Sequence, residues 1–205
     1  MNIVNNDDVL SYDDRGNLIE GCHNCSINDF KNKFLDEFPE SITRKSRMDL
    51  FLKFISNLNK NTNCVLHYWI NGGFTTNKEN PCDVDFVIVV DNEKLTDNDN
   101  YYLSNLIEEI NNFRNDYKTL ENDIQYDNNR SKRELMETDF YKKCACDAYI
   151  LIKRKVDDPL YNLYIENKNY WTKWWGHTRE DENGQSFSKG FVNINYDNSI
   201  IDEEV

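Results

Sequence analysis

Two carboxylates and two glycines make the first claim on attention. Asp83 and Asp85 flank a single valine, and Gly72-Gly73 precedes them with nine residues between. On a strand, residues i and i+2 point to the same face, so both carboxylates would project together, about 6–7 Å apart along the backbone. Side by side they repel, and burial would push one of them to hold its proton. A divalent cation removes that conflict, and carboxylate oxygens are the ligands that magnesium and manganese prefer. Asp147 opens a later strand-like run, CDAYILIK. If the two runs lie side by side, three acids meet at one sheet edge, the donor set for a pair of metal ions on a phosphate. Gly72-Gly73 lets backbone N–H groups approach phosphate oxygens with no Cβ in the way.

The elements needed to place these residues are legible in the pattern. CVLHYWI (64–70) is short, β-branched and aromatic, and it runs into the Gly-Gly turn. Residues 84–90 are almost continuously apolar, as in a strand covered on both faces. Met48, Phe51, Leu52, Ile55 and Leu58 recur at helical spacing over 43–60, and Leu103, Leu106, Ile107, Ile110 and Phe113 do so over 97–115. A short helix capped by Ser26 or Asn28 would cover Phe30, Phe34 and Phe38, after an irregular lead-in with a turn at Asp14–Gly16. Asp158 and Pro159 read as the start of a helix ending at Gly176, a C′ residue. A turn at Glu182–Gly184 precedes a last strand near 191–196 and an acidic tail. Residues 116–140 are polar, with Leu120, Ile124 and Leu135 as weak anchors. The order predicts an α/β (α+β) protein with a small mixed sheet flanked by helices. Residues 1–42 would be a lead-in and short helix, 43–157 the core, and 158–205 a C-terminal helix, strand and tail packed on it.

Composition narrows the partners. The chain has 205 residues, 39% hydrophobic and 13% aromatic, enough for a core. Its formal net charge is -13, with 37 acidic against 24 basic side chains, which opposes a large nucleic-acid groove. A local phosphate site stays open, because screening confines each charge to about 10 Å. With no long apolar run and an acidic N-terminus, the expectation is a cytoplasmic protein without membrane insertion. Six cysteines include Cys22-x-x-Cys25 and Cys144-x-Cys146, but no second x-x spacing recurs as in a zinc ribbon, so reduced thiols are expected.

Gly72-Gly73, nine residues, Asp83-Val84-Asp85 and then a lone Asp147 resemble the DNA polymerase beta-like nucleotidyltransferase superfamily over residues 48–153. The strings GCHNCSINDFKNKF, GGFTTNKENPCDVD and WWGHTREDENGQSFSKGFVNI look like small bacterial members found beside toxins or anti-phage effectors. The resemblance implies a metal-dependent nucleotidyltransferase, with Asp83, Asp85 and Asp147 catalytic and holding Mg2+ or Mn2+. It would transfer a nucleoside monophosphate from an NTP or dNTP to a hydroxyl. The acceptor would be a side chain of a partner toxin or effector, or the 3′-OH of a short untemplated oligonucleotide. The other reading is a non-catalytic, antitoxin-like module that acts on its partner by contact. Many superfamily members carry serine where Gly73 stands, so Thr75, Thr76 or backbone N–H groups would take over at the phosphates, with Lys189 reaching them from before the last strand.

Other residues carry two readings each. Trp171, Trp174 and Trp175, with Tyr164 and Tyr170, are either a buried helix face, the favoured reading, or a base-stacking platform. His177 and Arg179 read as loop residues, Lys189 equally as a turn lysine, and His67 as a core or interface histidine. Arg44, Lys45 and Arg47 read as a solvated helix end before a phosphate or acidic-partner contact.

Overall fold

The computed structural model describes residues 10–108 and 146–195. The run 84–90 is a strand because it is apolar on both sides. In β3 (Val84–Asp91), Val84, Phe86, Ile88 and Val90 are buried on one face while Val87 and Val89 are buried on the other. Such a strand needs partners on both edges and cover on both faces. It has β2 (Val65–Asn71) antiparallel on one side and β4 (Cys146–Lys153) parallel on the other. The sheet continues through β5 (Gly190–Asn195), antiparallel to β2, to β1 (Gly21–Cys25), parallel to β5. The order β1-β5-β2-β3-β4 makes a five-stranded mixed sheet with helices on its faces, an α+β fold.

One face is covered by α1 (Ile27–Lys31), the π-helical turn Asn32–Asp36 and α2 (Arg44–Asn61), whose Phe30, Phe34, Met48, Phe51 and Ile55 are buried in one cluster with Tyr68, Phe86 and Ile88. Residues 97–108 form α3, with Leu103 buried. The other face is covered by α4 (Tyr161–Trp175), where Trp175 packs with Trp69, Val87 and Phe191. Ser26 closes α1 with a capping box through Asp29.

Several sequence expectations are corrected. Residues 21–25 are not an irregular lead-in but an edge strand, and Leu10, Leu18 and Ile27 share the core with α2. Alternation is weak in GCHNC, and β1 is held by a strand 169 residues away, so local pattern carried no signal. Helix α4 starts two residues later than Pro159 suggested, because Asp158 caps a preceding turn by accepting from the Leu160 N–H at 2.7 Å. Gly176 ends that helix at φ -75°, so the left-handed C′ geometry is absent. Glycine is required there by space, since a Cβ would come within 2.8 Å of the Thr172 carbonyl.

The largest correction concerns Arg44 and Arg47, which are fully buried rather than a solvated helix end. Arg44 donates from its guanidinium to the carbonyls of Phe34, Phe74, Thr76 and Lys78 at 2.6–2.8 Å. It also lies over the Phe38 and Phe74 rings. Arg47 donates from Nε to the Cys82 carbonyl at 3.0 Å. Together the two side chains pin the connection between the Gly-Gly turn and Asp83 to the first turn of α2. Lys45 alone of the three matches the solvated reading, with an exposed ion pair to Asp49. His67 sits half-buried on β2, where burial, then Lys153 and Lys168, pulls its imidazole down to about 4. The five described cysteines are free thiols. Ile110, Phe113, Cys144 and the segment 116–140 lie outside the described residues.

Candidate active site

Strands β3 and β4 are parallel and in a register that pairs Asp85 with Asp147 directly. Asp83 precedes the first residue of β3 and still acts on Asp85 electrostatically. The sheet therefore brings all three acids to one end. On the other side of Asp85, β2 places Asn71 in register, and the chain then turns through a 3-10 segment, Gly72–Thr75. Gly72 has φ +77°, and a Cβ there would land on the Asp85 carboxylate. The turn and the acid pair touch: backbone lies against carboxylate where any side chain would keep them apart.

The two glycines are thus not equivalent. Gly73 has an ordinary φ, and a Cβ would meet only Lys78 and Pro81 side chains at 3.7 Å and beyond. Gly72→Ala is expected to cost about 1–3 kcal/mol through backbone strain and the clash with Asp85, whereas Gly73→Ala stays within about 0.5 kcal/mol. Paired urea titrations check this contrast, which reverses if Gly73 carries the strain.

Asp147 is 3% exposed, and its Oδ2 accepts from the Tyr149 hydroxyl at 2.8 Å. Burial, then Asp83 and Asp147, pushes the Asp85 carboxyl up to about 7, while Lys189 and Arg179 oppose the rise. Lys189 is 9% exposed, not a solvated turn lysine. Burial pulls its ammonium down to about 8, with Asp85 opposing and Arg179 adding to the fall. A half-buried acid raised and a buried base lowered, each acting on the other, is the arrangement expected of a functional cleft.

The loop after α4 brings Lys189 and Arg179 to this place. The Thr178 N–H donates to the Phe187 carbonyl, and the Lys189 N–H donates to that of Gly176. His177 and Ser188 form a bridge. Asp181 closes the far end by accepting from the N–H groups of Asn183 and Gln185, before Gly184 at φ +73°. The Asn71 side-chain amide donates to the Trp175 carbonyl at 2.9 Å, which ties the C-terminus of α4 to the residue before Gly72.

These parts enclose a cleft of about 710 Å³ that includes Gly72, Asp85, Lys173, Trp174, Arg179 and Lys189 in its walls. Its size suits one small ligand. Neither Thr75 nor Thr76 is part of its wall. The Thr75 hydroxyl lies 3.4 Å from Asn71 Oδ1 and 3.3 Å from the Gly72 carbonyl, and that of Thr76 donates to Gly73 at 2.8 Å. Both brace the turn. Sequence reasoning missed Asn71 and Lys173. Asn71 bears the one signal that was available, a polar residue directly after an apolar strand and before Gly-Gly.

Among the described residues no group of three His, Cys, Asp or Glu side chains is drawn close enough to hold a metal ion as it stands. The chemistry of the donor set nonetheless fits a divalent cation. Two register-paired acids and a third nearby crowd negative charge onto Asp85, and a cation would relieve that directly.

A model for a family of unknown function (DUF6932) matches residues 10–195, which takes in all five strands and the cleft. The chain belongs to that family. No curated protein and no solved structure matches it. Within this DUF6932 chain no described helix is long and apolar enough to cross a membrane.

Proposed function

We propose that the cleft transfers a nucleoside monophosphate from an NTP or dNTP to a hydroxyl acceptor. The observation that carries this reading is the register pair Asp85–Asp147, with Asp85 lying against a glycine turn that has no room for a side chain. Magnesium or manganese, held by Asp83, Asp85 and Asp147, would neutralise phosphate charge and acidify the acceptor hydroxyl. The protein's own groups do the rest. The Gly72 turn lets phosphate oxygens approach the backbone closely. Lys189 and Arg179 place positive charge over the cleft, where the low dielectric strengthens it. Asp147 is oriented by Tyr149 and takes the acceptor proton. The acceptor oxygen bonds to the α-phosphorus, the bond to the bridging oxygen breaks, and pyrophosphate leaves.

Incubation of the chain with α-32P-labelled NTPs and dNTPs and magnesium or manganese, run on a denaturing gel, tests this. Labelled protein indicates a side-chain acceptor, and a labelled ladder indicates an oligonucleotide 3′-OH. Absence of product with every nucleotide, with and without a candidate partner toxin or effector, overturns the proposal in favour of a binding module. The cellular setting proposed with it is a toxin–antitoxin pair or anti-phage defence.

A further inference from the structure

The aromatic residues of α4 divide into two sets. Trp175 is 5% exposed and packs with Phe191 and Trp69, and Trp171 packs on Tyr149 at 4.6 Å between ring centroids. These two fix the rotation of the helix on the sheet. Tyr170 and Trp174 are then left 56% and 58% exposed, and both stand in the wall of the cleft that holds Asp85. Their rings are parallel to within 8°, at 6.3 Å between centroids. Tyr170 is further braced edge-on by Trp171 at 5.4 Å. The Asn71–Trp175 hydrogen bond anchors the residue next to Trp174 to the strand end that leads into Gly72.

We infer that Tyr170 and Trp174 form the seat for the base of a nucleotide whose phosphates lie toward Lys189 and Gly72. This rests on the proposed transferase reading of the same cleft. Exposing two large aromatic faces to water is unfavourable, and a flat heteroaromatic ring covers them at little entropic cost because the platform is already rigid. Lys173, Arg179 and Lys189 line the same cleft beside Asp85 and Glu180, a small local excess of positive charge in a chain of net charge -13 that suits phosphates. Base and phosphate requirements thus converge in one cavity large enough for one nucleotide. The packing of Trp171 and Trp175 on the sheet is the device that presents Tyr170 and Trp174.

The test is calorimetric titration of the full chain with ATP and, separately, with inorganic tripolyphosphate, both with magnesium. Trp174→Ala is expected to weaken ATP binding about 5- to 150-fold and to leave tripolyphosphate binding unchanged. Trp174→Phe keeps a ring and should restore most of the loss, and Tyr170→Ala should act like Trp174→Ala. Both side chains are more than half exposed, so these variants keep the fold, which melting curves verify. Equal ATP affinity in Trp174→Ala overturns the inference and leaves an exposed protein-docking face as the other use of the pair. Equal loss of ATP and tripolyphosphate overturns it too, since it marks a general effect on the cleft. The two proposals fail separately: stacked ATP with no transfer sinks only the reaction, and transfer with an unchanged KM in Trp174→Ala sinks only the base seat.

Discussion

Asp85→Asn is expected to abolish nucleotide transfer, by roughly a thousandfold or more, while making the protein more stable at pH 8. The two effects have one cause. Asp85 is pushed from 3.8 to about 7, chiefly by burial and then by Asp83 and Asp147. Between about pH 4 and pH 7 the unfolded carboxyl has lost its proton and the folded one keeps it. The unfolded state then binds fewer protons, so stability falls as pH rises through this window. Above pH 7 both forms are ionised, and the cost of the half-buried charge is fully present. Asparagine keeps the shape and removes the charge, so with EDTA present its gain should be on the order of 1–3 kcal/mol at pH 8. The gain should shrink at pH 5 and vanish only below about pH 4, where Asp85 is protonated in the folded and the unfolded chain alike. Lys189 tempers the effect, since it loses its countercharge in the variant. Thermal melts at the two pH values, beside the labelled-nucleotide assay, read both halves. A variant less stable than its parent at pH 8 would show that Lys189 compensates Asp85 completely. It would also remove the argument that this acid is kept at a cost.

Physical reasons separate what the residue order displays from what it conceals. Strands β2, β3 and β4 are readable because each is a short apolar run bounded by polar or glycine residues, and the side-by-side pairing of Asp85 and Asp147 follows from β3 and β4 being adjacent and parallel. The contact between Gly72 and the Asp85 carboxylate has no local signature, since it depends on the register of β2 against β3. Strand β1 was hidden for the same reason, being defined by a partner at the other end of the chain. The tryptophans were ambiguous because helical spacing gives the angle between Trp171, Trp174 and Trp175 but not which of them faces the sheet. Arginine is the instructive failure. A charged residue at a helix start reads as solvated, because burying a guanidinium is costly unless most of its donors find partners. The four partners of Arg44 are backbone carbonyls, and backbone carbonyls leave no trace in a sequence.

Those carbonyls make Arg44→Met the substitution with the largest expected effect on the fold. Phe74, Thr76 and Lys78 belong to the connection that joins the glycine turn to Asp83, and Phe34 ends the aromatic cluster beneath it. Methionine fills much of the space but offers no donor, so four buried or half-buried carbonyls lose their guanidinium at once. The cost should be about 3–5 kcal/mol, which is a large share of the stability of an ordinary domain. Arg44→Lys should recover only part of it, because a single ammonium cannot span carbonyls that a planar fork reaches from both ends. The neighbouring Lys45→Met is the internal control: its ion pair with Asp49 is exposed, so the change should stay within about 0.5 kcal/mol. Urea unfolding of the three variants decides the matter, and equal midpoints for Arg44→Met and the parent would refute it. In Arg44→Lys, where the fold survives, transfer should fall more than stability does. The reason is that Arg44 and Arg47 together set where the residues from Phe74 to Cys82 run, and so where Asp83 stands relative to Asp85. The fold thus spends two buried cations on holding a loop, and what that loop carries is the first acid of the site.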